Sequence, residues 1–467
     1  MAKKAALHNL GCKVNAYETE AMRQLLEEAG YEIVPFAPGA DVYVINTCSV
    51  TNIADRKSRQ MLHKAKKMNP NAIVVAAGCY VQTAEQSPED DHTVDLVLGN
   101  NRKKDLVDAL QLLEESRSAD GGSESMDGVP HRACTADALS DISSRKEETD
   151  EHRFVIDINH THEYEQLFIT RTKEHTRAYI KVQDGCNQFC TYCIIPYARG
   201  RVRSREAADV LKEVKTLAEG GCREVVLTGI HLTSYGSDLG TSLLELIRAV
   251  HEIPGIRRIR LGSLEPGFIT EETAAALHDL PKVCPHFHLS LQSGCTSVLK
   301  RMNRRYTAEQ FEEKCAILRS VYDQPAITTD VIVGFPQETL EEFRETASFL
   351  KKLRLYETHV FKYSSRQGTR AAAMSGQIPE PEKGIRSNVL IELGEQNRSL
   401  FEQKYAGRTV EVLFEEPIEI NGTNYFAGYT KEYIRVAIPA AEDFTNRILT
   451  GRIGQPVSSH LFLLEKD

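Results

Sequence analysis

Residues 184–201 read DGCNQFCTYCIIPYARGR. Three cysteines, Cys186, Cys190 and Cys193, stand there in the spacing CxxxCxxC, with no fourth cysteine or histidine in the stretch. A closed tetrahedral site takes four protein ligands, and an iron–sulfur cubane normally takes four thiolates. Three ligands on one loop leave a position to be filled from outside it. Either a [4Fe-4S] cluster keeps one iron open for an exogenous ligand, or a zinc ion is completed by a distant residue such as His175 or Cys222. Structural zinc sites usually display two CxxC-like pairs, and this stretch lacks the second pair.

The flanking sequence places the loop. "RAYIKVQDGC" reads as a strand running into it, and five more strand candidates follow before about residue 366: "REVVLTGI", "RRIRLGS", "HFHLSLQSG", "AITTDVIVGFP" and "ETHVFKYSS". Helical stretches separate most of them. Six βα units predict a partial (β/α)6 barrel, whose active site lies at the C-terminal ends of its strands. The cysteines follow the first strand, so an open iron there faces the usual active-site mouth. The later strands end in Thr228 and Gly229, Ser263 and Glu265, Gln292 and Ser293, and Asp330, Ile332 and Gly334.

Upstream, the apolar runs "KAALHNLGC", "DVYVINTC" and "AIVVAAGC" end in Cys12, Cys48 and Cys79. Helical patterns alternate with them, which predicts a parallel α/β sheet covered on both faces. Each cysteine alone reads as a small buried residue. All three together mark the C-terminal edge of one sheet, where such sheets gather ligands. Gly11 and Gly78 precede two of them and permit close backbone approach. The pattern predicts a second three-cysteine cluster, again with an open iron.

Residues 403–467 carry short alternating runs with "NG" and "TG" turns, which predict a small all-β barrel of oligonucleotide-binding type. Residues 114–171 read as an acidic flexible linker, with Cys134 an exposed thiol. The expected division is therefore 1–113, 114–171, 172–402 and 403–467. Between residues 109 and 171 there are 14 Asp+Glu against 6 Lys+Arg, so the net charge of -9 is concentrated there. The near-neutral remainder does not exclude an RNA partner. No apolar run approaches the roughly 20 residues of a membrane span, and the start does not read as a signal peptide. A cytoplasmic protein keeps its thiols reduced, so the eleven cysteines are read as ligands or core residues rather than disulfides.

CxxxCxxC with Tyr192 before the last cysteine resembles the radical S-adenosylmethionine (SAM) superfamily. There the open iron chelates SAM's methionine part, and one electron cleaves SAM to a 5′-deoxyadenosyl radical. The resemblance implies SAM contacts at Tyr192, Thr228, Gly229, Ser263, Glu265, Gln292, Ile332 and Gly334. Asp330 and Gln337 stand where the superfamily pattern often has Gly and Glu. The wording "GCKVNAYETE", "INTCSVTNIADRKSRQ", "GCYVQ", "HLSLQSGC", "LKRMNRRYT" and "DVIVGFPQET" further resembles the methylthiotransferases. These join an N-terminal cluster domain, a radical SAM barrel and a C-terminal TRAM barrel. "GCKVN" is most similar to the branch that modifies threonylcarbamoyladenosine beside the tRNA anticodon; the isopentenyladenosine branch tends to read "GCQMN".

The family resemblance implies two [4Fe-4S] clusters and SAM. One cluster serves radical formation and hydrogen abstraction from adenine C2; the other serves sulfur delivery. It also implies tRNA, a flavodoxin- or ferredoxin-like electron donor and a sulfur source as partners, and no membrane. Candidate RNA contacts are Arg199, Arg201, Arg203 and Arg205, which share a face if extended, and Lys431 and Arg435 near Tyr425, Phe426, Tyr429 and Tyr433. The basic groups Arg56, Lys57, Arg59, Lys64, Lys66 and Lys67, and Arg301, Arg304 and Arg305, are further candidates. Competing expectations are methylthiolation of a ribosomal protein or of isopentenyladenosine, and a non-catalytic, zinc-stabilised RNA-binding protein.

Overall fold

The computed structural model describes residues 2–83, 93–120, 153–172 and 176–465; Cys134 and His175 lie outside the described residues. The chain forms two units, Met1–Thr161 with Glu165–Leu167, and His162–Tyr164 with Phe168–Asp467.

The first unit is built on strands β1 (Lys4–Asn9), β2 (Glu32–Ile33), β3 (Val42–Thr47), β4 (Ile73–Gly78), β5 (Leu96–Leu98) and β6 (Arg153–Phe154). They lie in the order β2-β1-β3-β4-β5-β6, every pair parallel. β3 and β4 are buried at every residue, which explains why both read as unbroken apolar runs. Alternate side chains supply two cores. Val42, Val44 and Val75 pack with Met22 and Leu26 of helix α1 (Lys13–Glu28). Tyr43, Ile45 and Val74 pack with Leu62 and Ala65 of helix α2 (Asn52–Met68). Each large aliphatic side chain buried this way contributes about 1.5–3 kcal/mol.

The linker expectation is too wide. The helix beginning at Leu106 runs on to Asp120, and β6 adds to the sheet beside β5. The Tyr17 hydroxyl donates to the Leu167 carbonyl at 2.7 Å. Buried Glu165 accepts from the backbone N–H of Lys104 at 3.1 Å. A two-residue strand in an acidic background has no periodicity to betray it, so residues 153–167 were illegible as structure.

The second unit contains β7 (Arg177–Asp184), a short antiparallel β8 (Arg203–Ser204), β9 (Glu224–Gly229), β10 (Arg258–Leu261), β11 (His286–His288), β12 (Ala326–Val333) and β13 (Glu357–Lys362). Six of these are parallel, in two sheets, β10-β9-β7-β8 and β11-β12-β13. Isolated parallel bridges, Ile259 with Val283 and Leu264 with Leu289, join the sheets into one curved wall. This is the α/β architecture expected of the six βα units, with β8 added.

A long helix, Glu380–Gln403, leads to β14 (Thr409–Ile420), β15 (Thr423–Thr430), β16 (Arg435–Pro439), β17 (Ile448–Ser458) and β18 (Leu461–Glu465). These close into an all-β barrel, β14-β15-β16-β18-β17, around Val412, Phe414, Phe426, Ile434 and Val436. Arg258 ties it to the parallel strands by donating to the carbonyls of Glu411 and Tyr429 at 2.7 and 2.9 Å. Arg260 donates to the Lys431 carbonyl at 2.9 Å, and Arg177 stacks over the Tyr429 and Tyr433 rings. Phe426 is core and Tyr429 and Tyr433 are docking residues, which removes all three as base-stacking candidates. No helix among the described residues is long and apolar enough to cross a membrane.

Candidate functional site

The CxxxCxxC loop leaves β7 through Gly185, at φ +71°, where a Cβ would lie 1.8 Å from the Arg201 carbonyl oxygen. Only glycine fits. The Cys186 N–H then donates to the Gly200 carbonyl at 3.0 Å. Beneath the loop, buried Asp184 pairs with Lys181 at 2.6 Å and Arg199 at 3.2 Å, with Arg203 at 3.8 Å. On its far side, Thr191 donates its N–H to the Met302 carbonyl and its hydroxyl to the Arg301 carbonyl.

These contacts correct the RNA reading of "ARGRVRSR". Residues Ile195–Arg199 are helical and only Arg203–Ser204 is a strand, so the four arginines do not share one extended face. Arg199, Arg203 and Arg205 are at most 1% exposed. Arg205 is ion-paired with Glu213, and the other two serve Asp184. Arg201 is exposed, over the Phe189 ring at 4.6 Å.

Each loop sulfur accepts an N–H. Gln188 donates its backbone N–H to Cys186 Sγ at 3.4 Å, Arg304 donates to Cys190 Sγ at 3.2 Å, and the Ile195 backbone serves Cys193. Burial pushes the Cys186 thiol up to about 11 and the Cys193 thiol up to about 12. Such sulfurs become thiolates only with a cation bound, and donors aimed at them suit iron–sulfur ligation. The residues fit a three-thiolate cluster. A single ion would need its ligands closer together: among the described residues, the group with ligand atoms all within 4.8 Å contains no cysteine. Cys222 cannot complete a zinc site here. It precedes β9, at the opposite end of the barrel from the loop, and its thiol donates to the Glu224 carbonyl at 3.3 Å.

Opposite the loop, Glu265 accepts two hydrogen bonds from Arg304 at 2.6 and 2.8 Å. Burial alone would raise its carboxyl; His231 and Arg304 outweigh that and hold it below the usual carboxylate range. A cavity of about 530 Å³ opens here, lined by Gln188, His231, Glu265, Arg305, Tyr306 and Gln310 among others, a volume suited to a small molecule. Sequence reasoning missed His231 and gave Arg304 only to RNA. Their signal was proximity to strand ends, in "TGIH" and "MNRR".

The other expected contacts divide. Thr228 is buried on β9, and Gly229 abuts the Gln183 side chain, which a Cβ there would meet at 2.8 Å. Ser263 is exposed. Gln292 holds φ +68°, an uncommon backbone for a non-glycine residue and of the kind concentrated at ligand sites. Ile332 and Tyr192 each pack against the cluster that holds Cys295, Phe335 and Tyr363. Gly334, at φ +70°, would drive a Cβ to 2.4 Å from Lys383 Cγ, so its place is fixed by the long helix. Its N–H donates to Glu338 at 2.7 Å, and Glu338 also pairs with Arg386. Glu338 escaped the sequence reading, which looked for a glutamate at Gln337, the residue before it.

In the first unit, Cys12 caps α1 just after β1, Cys48 follows β3, and Cys79 opens a short helix directly after β4. The three strands are adjacent, with Asn9 opposite Asn46 and Thr47 opposite Gly78. The cysteines therefore share one sheet edge. At Gly11, φ +108°, a Cβ would lie 2.9 Å from Cys48 Cβ and 3.0 Å from its Sγ. Asn15 Nδ2 donates to the carbonyls of Leu10 at 2.7 Å and Thr47 at 2.9 Å, stitching the first two loops. Thr47 Oγ1 stitches the third by donating to the Ala77 carbonyl at 2.6 Å. Asn100 Nδ2 donates to Cys79 Sγ at 3.5 Å. This donor set also fits three thiolates on a cluster.

Of the basic candidates, Arg56, Lys57, Arg59, Lys64 and Lys67 are exposed along α2, which starts four residues after Cys48. Lys66 pairs with Asp95 at 2.8 Å. Lys431 Nζ donates to the Pro281 carbonyl at 3.2 Å, and Arg435 pairs with Glu416 at 3.1 Å. Arg301 pairs with Glu342, while Arg305 is exposed at the cavity.

Two family descriptions match the chain: the Radical SAM superfamily over residues 180–350 and uncharacterized protein family UPF0004 over residues 4–99. The threonylcarbamoyladenosine tRNA methylthiotransferase MtaB of Bacillus subtilis is 38% identical over 464 residues, 98% of this chain and 96% of that protein. The chain belongs to the methylthiotransferase family. Another member, the MtaB of Aquifex aeolicus, is 39% identical over 90% of this chain and 95% of that protein. The family also includes a tRNA-2-methylthio-N(6)-dimethylallyladenosine synthase of Acetivibrio thermocellus, 33% identical over 97% and 88%. Among solved structures, the radical S-adenosylmethionine methyltransferase TsrM from Kitasatospora setae aligns with a TM-score of 0.53 at 16% identity. That alignment covers 80% of this chain and 74% of TsrM, a likeness of fold.

Proposed function

We propose that the chain is a radical SAM tRNA methylthiotransferase that converts N6-threonylcarbamoyladenosine beside the anticodon to its 2-methylthio derivative. The observation that carries this reading is near-full-length similarity to enzymes of that name, higher at 38–39% for two of them than the 33% to the dimethylallyladenosine synthase of Acetivibrio thermocellus. Two [4Fe-4S] clusters and SAM would supply one-electron cleavage, sulfur and the methyl group. Cys186, Cys190 and Cys193 would hold one cluster, and Cys12, Cys48 and Cys79 the other.

The chain's own residues do the positioning. Arg304 and the backbone N–H groups of Gln188 and Ile195 stabilise negative charge on the loop sulfurs. Glu265, held as a carboxylate by Arg304 and His231, offers an acceptor for a cationic group entering the cavity. Ile332, with Tyr192, presents an apolar wall that excludes water beside the loop and so protects a radical from side reactions. Exposed Arg201 and Arg305 in the second unit and, separately, the basic face of α2 in the first are the remaining candidates for tRNA phosphates. The C-terminal barrel is read as a TRAM domain. A flavodoxin- or ferredoxin-like reductant and a separate sulfur source complete the reading, in the cytoplasm.

The test is anaerobic iron and sulfide analysis beside product mass. Roughly eight irons per chain, from four per cluster, should fall to roughly four when Cys186, Cys190 and Cys193 become Ala, and 5′-deoxyadenosine should vanish. Added SCH₃ mass on tRNA supports the assignment; the same mass on a ribosomal protein instead, or stoichiometric zinc without iron, overturns it.

A further inference from the structure

We propose that His288, Asp330 and His359 form a mononuclear site for a divalent transition-metal ion inside the barrel, distinct from both cysteine sites. One ligand atom from each lies within 4.8 Å of the other two. The residues come from three neighbouring strands, β11, β12 and β13, with Asp330 directly opposite His359 in the register. Side chains two apart on a strand share a face. Asp330 therefore points to the same side as Ile332, which packs against the cluster of Cys295, Phe335 and Tyr363 that also takes Tyr192 of the cysteine loop. The site faces the barrel interior, and His359 is exposed enough to admit an ion from outside.

The hydrogen bonding of His288 suits a ligand. Its Nδ1 is 3.0 Å from Thr328 Oγ1. Its Nε2 is buried, 3.3 Å from Asp330 Oδ2, yet has no hydrogen-bond partner among the described residues. If Nδ1–H donates to the threonine, Nε2 turns a lone pair toward a carboxylate. A cation bound between the two acceptors would satisfy both of them at that distance. A second partner that fixes tautomer and ring orientation is the usual support of a metal-bound histidine. The His359 ring stacks on His288 at 5.8 Å, bringing the third ligand to the same point.

Two imidazoles and one carboxylate suit Zn²⁺ or Fe²⁺ better than Ca²⁺ or Mg²⁺. Three protein ligands leave coordination open for water or an anionic oxygen of a substrate. The donor set has no sulfur, which separates it experimentally from the clusters.

Holoenzyme carrying both clusters, exposed to Zn²⁺ and desalted, should retain about one zinc per chain, the content of a single three-ligand site. Zinc-edge absorption should show only N/O neighbours, at about 2.0–2.1 Å. His288→Ala, Asp330→Asn and His359→Ala should each weaken zinc binding at least tenfold while iron and sulfide stay unchanged. His359 is exposed, so that variant reads the site even where the inner two disturb folding. Thr328→Val should cost about 10–100-fold in affinity through loss of the second partner. The proposal is overturned if wild type retains no zinc, if the His359 variant retains it equally, or if sulfur appears near 2.3 Å, which would place the ion on cysteine. None of these outcomes depends on the tRNA reading.

Discussion

The two cysteine triads gather three thiols each by opposite construction. Cys186, Cys190 and Cys193 sit on one loop, clamped from below by buried ions around Asp184. Cys12, Cys48 and Cys79 sit on three loops, brought together by strand register and by Asn15 and Thr47. A loop-built site stands or falls with its clamp. A sheet-built site depends on spacing between backbones, so its weak points are small residues and amide bridges rather than charges.

The largest effect should come from Asp184→Asn. It takes the carboxylate from Lys181, Arg199 and Arg203 in a buried setting, where breaking a pair costs roughly 3–5 kcal/mol. Denaturant titration should show that loss. Iron analysis should show the loop site depleted and the Cys12, Cys48 and Cys79 site still filled; equal depletion of both would break the comparison. Next, Gly11→Ala strains a φ of +108° and presses on Cys48, costing about 1–3 kcal/mol. Here the sheet site should lose its iron, and product should fail while 5′-deoxyadenosine still forms. Asn15→Ala removes two donors from the Leu10 and Thr47 carbonyls, a loss of about 1–2 kcal/mol. It should act on the same site in the same direction, so retention of full iron there would refute the stitching role.

The same contrast decided what could be read from sequence. CxxxCxxC announced itself by spacing because its three cysteines are local. Cys12, Cys48 and Cys79 became legible only through the strand pattern, since buried parallel strands keep their ends in a common plane. Charge was the poor guide. "ARGRVRSR" looks like a phosphate-binding stripe, yet three of its arginines neutralise buried carboxylates. Alternation predicted one face, and the helix Ile195–Arg199 interrupts it. Arg177, Arg258 and Arg260 were passed over as strand residues, although they dock the C-terminal barrel. Partners distant in sequence decide whether an arginine is buried or free, and no local pattern encodes them. His288 and His359 were hidden for that reason too, and so was their grouping with Asp330.

The smallest effect tests whether the loop's clamps extend to its surface. Arg301, whose carbonyl accepts the Thr191 hydroxyl, pairs with Glu342 at 2.9 and 2.6 Å. That hydrogen bonding, led by Arg301 and opposed by burial, lowers the Glu342 carboxyl from its ordinary 4.5 to about 2. A carboxyl depressed in the folded state stabilises the fold fully above its unfolded value. The contribution then disappears as pH falls from 4.5 toward 2. The pair is partly open to solvent, so its worth stays below about 1 kcal/mol. Wild type should therefore exceed Glu342→Gln in stability above pH 4.5 and converge on it in acid, measured on the iron-free chain so that acid loss of iron does not enter. A gap that persists unchanged into acid would mean Glu342 acts by packing rather than charge. The loop would then owe its ionic clamping to Asp184 and to the Arg304–Glu265 pair.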